Sequence, residues 1–171
     1  IMEIQITQDL VQKKSITPND AGCLQYIEDF LTQRGFINET LTFGRVKNLW
    51  SVKRNNGPLL VFLGHVDVVP TGPENEWEHD PFSGYDDGTF INGRGTGDMK
   101  GGIACFMSAL SRIDVDSLNY SIGFLITADE EGPSKDGTVK VVEELLQRDE
   151  KIDYCLIGEP STLETVGDNI R

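Results

Sequence analysis

Of 171 residues only three are cysteine and two are histidine, and basic side chains are outnumbered, 15 Lys and Arg standing against 28 Asp and Glu. Cys23, Cys105 and Cys155 are odd in number, far apart, and each lies in a stretch that reads as an apolar helix or strand. No disulfide framework is expected, and the three read as buried free thiols in a reducing compartment. The formal charge of −13, with no basic run and no basic helix, argues against nucleic acid or an acidic membrane surface as partner. No apolar run approaches the roughly 18 residues that span a bilayer. The N-terminus also lacks the basic head and apolar core of a signal peptide, so the cytoplasm is the default expectation. There is no internal repeat and no low-complexity segment. Ile1 precedes the first Met and the chain stops at Asp168-Asn169-Ile170-Arg171 without an evident closing helix or strand, which reads as a fragment of one domain.

What is present is an α/β pattern. A first helix is expected over Glu3–Lys13, then a second capped by Thr17, with Pro18 in its first turn and Leu24, Ile27 and Leu31 at helical spacing up to Gly35. Phe36–Val52 is strand-like, and Asn55-Asn56-Gly57 reads as a hairpin turn into Leu59–Val69, with strand pairing across it. Pro70–Gly88, rich in Pro, Gly and acids, reads as a long ordered loop over a functional site. There follow a short strand at Thr89–Gly93, a helix at Ile103–Ile113, and a buried strand at Ser121–Ala128. An amphipathic helix at Gly137–Gln147 would turn Val139, Val142, Leu145 and Leu146 inward, and Ile152–Gly158 forms a last strand. The fold class expected is α/β, a mixed, mostly parallel sheet flanked by helices with right-handed crossovers.

Three of these strands run directly into metal-type ligands: Leu59–Gly64 into His65-Val66-Asp67, Ile122–Ala128 into Asp129-Glu130-Glu131, and Tyr154–Gly158 into Glu159. In open α/β sheets functional groups collect beyond the carboxyl ends of the strands, so these three ends would converge on one crevice. His65 and Asp67, two apart, can face the same side, one binding a metal through an imidazole nitrogen while the other holds its geometry. Glu130 and Glu131 must point apart and can take two roles, metal binding and proton transfer. Asp98, after Gly93-Arg94-Gly95-Thr96-Gly97, reads either as a carboxylate bridging two metals or as an N-cap of the next helix. That glycine run is neither a dinucleotide fingerprint nor a P-loop, because Asp98 stands where a third Gly is needed and no Gly-Lys-Ser/Thr occurs. His79 reads as a loop residue. One His with three acidic ligands favours zinc or a similar divalent ion over calcium.

The segments Gly64-His65-Val66-Asp67-Val68-Val69-Pro70, Gly93–Gly101 and Asp129-Glu130-Glu131-Gly132 together resemble the co-catalytic zinc amidohydrolases of the aminoacylase and carboxypeptidase clan. Within it, Val69–Pro73, Asp136–Glu143 and Ile152–Ser161 are similar to the succinyl-diaminopimelate desuccinylase family. The resemblance implies two divalent metal ions per full-length subunit, zinc with cobalt as an alternative. His65 and Glu159 would hold one ion and Glu131 the second, with Asp98 bridging. It also implies that Asp67 orients His65, and that Glu130 is the general base taking a proton from water and passing it to the leaving amine. The reaction implied is hydrolysis of an N-succinyl amide on diaminopimelate, a small-molecule substrate of lysine and cell-wall precursor synthesis. Residues 1–171 would be the N-terminal portion of the catalytic domain. The inserted lid and dimerisation domain, the C-terminal part, and a late histidine completing the second metal shell would be absent. Such a fragment is expected to turn over poorly alone, and the full-length protein is expected to be a homodimer. Two other readings are a related deacylase or dipeptidase, such as acetylornithine deacetylase, and a non-catalytic metal-binding fragment.

Overall fold

The computed structural model describes residues 1–161 and Thr165, so the expectation for Asp168–Arg171 falls outside it. Its helices are α1 (Met2–Val11), α2 (Cys23–Thr32), α3 (Gly101–Leu110) and α4 (Thr138–Gln147). The main sheet comprises β1 (Ile37–Phe43), β2 (Val46–Lys53), β3 (Leu59–His65), β6 (Ser121–Thr127) and β7 (Tyr154–Ile157), and a separate two-stranded ribbon pairs β4 (Tyr85–Asp86) with β5 (Ile91–Asn92).

The main sheet has the order β1-β2-β6-β3-β7. β3 pairs in parallel with both β6 and β7, while β2 is antiparallel to both β1 and β6. Four of the five strands therefore run the same way, with β2 reversed, which is the mixed, mostly parallel sheet expected.

Alternation along the strands assigns one apolar face to each helical layer. Phe62, Phe124 and Ile126 pack with Leu10, Leu24, Ile27, Ile103 and Met107, so α1, α2 and α3 cover one face. Val61 and Leu125 point the other way and pack with Trp50, Val141 and Leu145 under α4. Every residue of β6 is buried, as expected of a central strand covered on both faces. β7 is exposed throughout at the sheet edge.

Four expectations are corrected. The chain does not form a hairpin across Asn55-Asn56-Gly57, because β6 lies between β2 and β3. Asn55 Nδ2 donates to the carbonyls of Val115 and Tyr120, and its backbone N–H donates to Ser121 Oγ, so the segment is tied to the approach of β6. Thr17 does not cap α2, which starts at Cys23 after Gly22. Residues 15–17 instead run beside Val66–Val68, with Thr17 N donating to Val68 O and Ser15 Oγ to Val66 O. On α4 the inward stripe is Val141 and Leu145, whereas Val139, Val142 and Leu146 are exposed. Only Cys23 is buried; Cys105, on the outer side of α3, and Cys155, on the edge strand, are exposed.

The 70–88 segment packs on α1, with Gln8 Nε2 donating to Gly84 O at 3.0 Å, Gln12 Nε2 to Ser83 O at 3.2 Å, and Phe82 buried. It contributes no lining residue to the cleft at the strand ends. His79, in that segment, stacks on Tyr85 at 3.7 Å between ring centroids.

Candidate metal centre

Register places the candidate ligands. His65 ends β3 opposite Thr127 of β6, and Leu63 lies opposite Ile157 of β7, so the chain leaving β6 and the chain leaving β7 pass on either side of the imidazole. The chain steps from β3 to β6 and then back past β3 to β7, which makes the end of β3 a point where the direction of winding reverses. Clefts form at such points. Here the cleft has a volume of about 380 Å³ and is lined by Asp98, Glu130, Glu131, Ile157, Glu159, Pro160 and Ser161.

His65 is buried, and its Nδ1 donates to the backbone carbonyl of Asp67 at 2.8 Å. This turns Nε2 toward the cleft, where Glu159 Oε1 lies at 3.0 Å, Asp98 Oδ1 at 3.1 Å and Glu130 Oε2 at 3.6 Å. Two overlapping donor sets result, His65 with Asp98 and Glu159, and His65 with Glu130 and Glu131, each with its ligand atoms within 4.8 Å of one another. The structure thus brings together His65, Asp98, Glu130, Glu131 and Glu159. An imidazole nitrogen among carboxylate oxygens suits a borderline divalent cation such as zinc.

Asp67 is fully buried and stands one layer behind. Its carboxylate lies 3.6 Å from His65 Nδ1 and accepts the backbone N–H groups of Glu130, at 3.2 Å to both oxygens, and Glu131, at 3.1 Å. One side chain therefore ties the end of β3 to the loop after β6. Asp129 faces elsewhere: buried, it accepts the N–H groups of Ser134, Lys135 and Asp136, shaping the loop that leads into α4.

Sequence reasoning passed over Lys100 and Met99. Lys100 is fully buried, and its Nζ donates to the carbonyls of Leu10 at 2.8 Å and Lys13 at 3.0 Å, supplying partners to the C-terminal end of α1. The available signal was a lone cation at the start of an apolar helix. Met99 Sδ accepts the backbone N–H of His65 at 3.3 Å. A methionine among apolar residues carries no signal of that kind.

Without a metal the surroundings favour the protonated forms of His65, Glu131 and Glu159. Burial works against a charged His65, but the Asp67 carboxylate and carbonyl, with Glu159, outweigh it and push the imidazole up to about 9. Burial and the neighbouring acids, Asp98 above all, raise the carboxyls of Glu131 and Glu159. A histidine whose value is raised in the fold adds stability that is complete below its ordinary 6.5 and lost as pH rises through about 9. The raised glutamates act in the same sense at lower pH. Metal-free protein is therefore expected to lose thermal stability from pH 6.5 to 9, while zinc, competing with the His65 proton, binds more tightly across the same window. Melting curves with chelator and zinc titrations at several pH values check both trends. A pH-independent zinc affinity would reject the arrangement.

A histidine and four acids gathered at the carboxyl ends of parallel strands belong to a recognised group of proteins. The chain is a member of peptidase family M20/M25/M40, whose model matches residues 61–171.

Among curated proteins it is similar to the succinyl-diaminopimelate desuccinylases of Hydrogenovibrio crunogenus, 53% identical over 171 residues, and Marinobacter nauticus, 51% identical over 170. Each alignment covers 98% of this chain and 45% of the relative, so the chain spans less than half the length of the proteins it matches. Its fold resembles human carnosine dipeptidase 1, with a TM-score of 0.81 at 21% identity over 94% of this chain and 38% of that one. The M20 family metallo-carboxypeptidase Sso-CP2 from Sulfolobus solfataricus gives a TM-score of 0.79 at 21% identity, with the same coverage. No helix among the described residues is long and apolar enough to cross a membrane.

Proposed function

We propose that this chain is the N-terminal, metal-holding portion of a zinc-dependent amidohydrolase that cleaves N-succinyl-diaminopimelate to succinate and diaminopimelate in the cytoplasm. The observation that carries the reading is the convergence of His65, Asp98, Glu130, Glu131 and Glu159 on one cleft in a chain about half identical to desuccinylases. His65 and Glu159 would hold one ion, Glu131 the second, and Asp98 would lie between them. Zinc, or cobalt in its place, would polarise the amide carbonyl and lower the pKa of the attacking water.

The remaining work falls to the chain itself. His65 is pinned through Nδ1, so Nε2 has a fixed direction. Glu130 is the ligand-set carboxylate with the most freedom, its side chain 51% exposed, and it suits a group that takes a proton from water at one moment and gives it to the leaving amine the next. The part of the relatives beyond this chain would supply the cover over the substrate, the dimer contact and a further histidine ligand. A second reading, a fragment that binds metal without catalysis, is favoured by the 45% coverage of the relatives.

The two are separated by assaying this chain alone and fused to the remaining C-terminal part of the Hydrogenovibrio crunogenus desuccinylase. The fusion is expected to hydrolyse N-succinyl-diaminopimelate faster than N-acetylornithine, and the chain alone to show little turnover. A robust rate from mass-verified chain alone would reject the half-site reading. A zinc-loaded fusion without desuccinylase activity would reject the substrate.

A further inference from the structure

Each segment that brings a ligand to the His65, Asp98 and Glu159 set has the same neighbour. Met99 follows Asp98, and its side chain, fully buried, runs back between Gly64, which precedes His65, and Gly158, which precedes Glu159. A Cβ on Gly64 would stand 2.7 Å from Met99 Cε and 3.2 Å from Sδ; one on Gly158 would stand 2.9 Å from the same Cε and 2.8 Å from Phe62. Neither glycine has a positive φ, so what requires glycine is space and not backbone conformation, for Met99 at Gly64 and for Met99 with the Phe62 ring at Gly158.

The strand ends show what the methionine displaces. The β3–β7 ladder closes with a long bond of 3.4 Å from Gly158 N to Leu63 O. In a parallel ladder the next donor toward β7 is His65 N–H, and here it goes to Met99 Sδ at 3.3 Å. The thioether thus occupies a wedge between two diverging strand ends and answers the amide left open there.

We infer that Met99 is a positioning residue: its thioether sets the separation of His65, Asp98 and Glu159, and so the geometry of the cation they would hold. The inference rests on the metal-binding reading of the cluster. The Met99 sulfur meets the backbone N–H of His65, and the imidazole Nε2 faces Asp98 and Glu159. Met99 acts by fixing where the chain leaves β3 and β7, with its own peptide joined to Asp98. Methionine suits the task because it is long, unbranched and polarisable, and it fills an irregular gap while its sulfur accepts a weak hydrogen bond.

The test uses the 171-residue chain titrated with Co²⁺ and followed by visible absorption, with zinc competition for affinity. Met99→Ala is expected to weaken Co²⁺ binding about 10- to 100-fold, as loss of a support behind metal ligands does, and to change the ligand-field spectrum. Gly64→Ala, whose methyl would stand 2.7 Å from Met99 Cε and 3.2 Å from Sδ, should reproduce both changes. Met99→Leu, keeping most of the volume, should recover most of the affinity. Leu145→Ala removes buried apolar volume under α4, in the cluster on the other face of the sheet from Met99, and should lower the melting temperature while leaving the spectrum as it was.

A folded Met99→Ala chain with unaltered affinity and spectrum would overturn the inference. If that variant does not fold, Gly64→Ala decides in the same way. Spectral change in Leu145→Ala equal to that of Met99→Ala would also overturn it, since the effect would then be general to the core. Wild-type chain that binds neither Co²⁺ nor zinc would reject the metal reading itself, and this inference with it.

Discussion

Asp67→Ala is expected to cost about 3–5 kcal/mol of folding stability and to weaken zinc binding about 10- to 100-fold. The carboxylate is buried and accepts the N–H groups of Glu130 and Glu131, so its removal strands two donors in the interior. It also removes the negative charge beside His65 Nδ1 and slackens the tie between β3 and the loop carrying Glu130 and Glu131. Both donor sets depend on that tie. Asp67→Asn keeps the shape but can turn an amide N–H toward the same donors, and an intermediate loss is expected. Burial works against an ionised Asp67, but His65 and the Glu130 N–H hold its carboxyl below the usual range. The stability it adds is thus complete above that range and is lost as pH falls through it to the lowered value. Urea denaturation of metal-free protein and zinc titration read the two effects separately. An Asp67→Ala variant as stable and as zinc-avid as wild type would remove Asp67 from the site.

Glu130→Gln gives the opposite pattern, a large loss of rate with little loss of structure. In the fusion with the relative's C-terminal part, kcat is expected to fall about 10²- to 10⁴-fold, the usual contribution of a general base. Zinc affinity and melting temperature should stay close to wild type, because the side chain is half exposed and is not among the four residues proposed to hold the ions. The variant keeps the carbonyl oxygen but cannot accept the proton. Undiminished kcat would assign the base elsewhere. A loss of zinc in step with the loss of rate would make Glu130 a ligand, as its place beside His65 and Glu131 in one donor set allows.

The strands and the residues that end them were legible along the chain. β3, β6 and β7 are apolar stretches closed by His or acid, and a buried strand must be apolar while its exit is free to carry polar groups. Of the three carboxylates after β6, Asp129 and Glu130 were harder to tell apart. Only the closing of the 134–136 amides onto Asp129 shows that it shapes the loop while Glu130 faces the cleft. The phase of α4 was misread for a related reason, since valines occur on both of its sides and the loop around Asp129 sets which of them turns inward.

By itself the sequence determined the α/β class, the segments that become strands, and the residue types at their ends, because burial and local conformation act over a few neighbouring residues. Only the tertiary structure decided the strand order that sets β6 between β2 and β3, the burial of Lys100 under α1, and the wedge of Met99 between Gly64 and Gly158. These are contacts between segments tens of residues apart. Local pattern is blind to them, since a lysine, a methionine or a glycine reads the same whether it faces solvent or closes the gap behind a metal ligand.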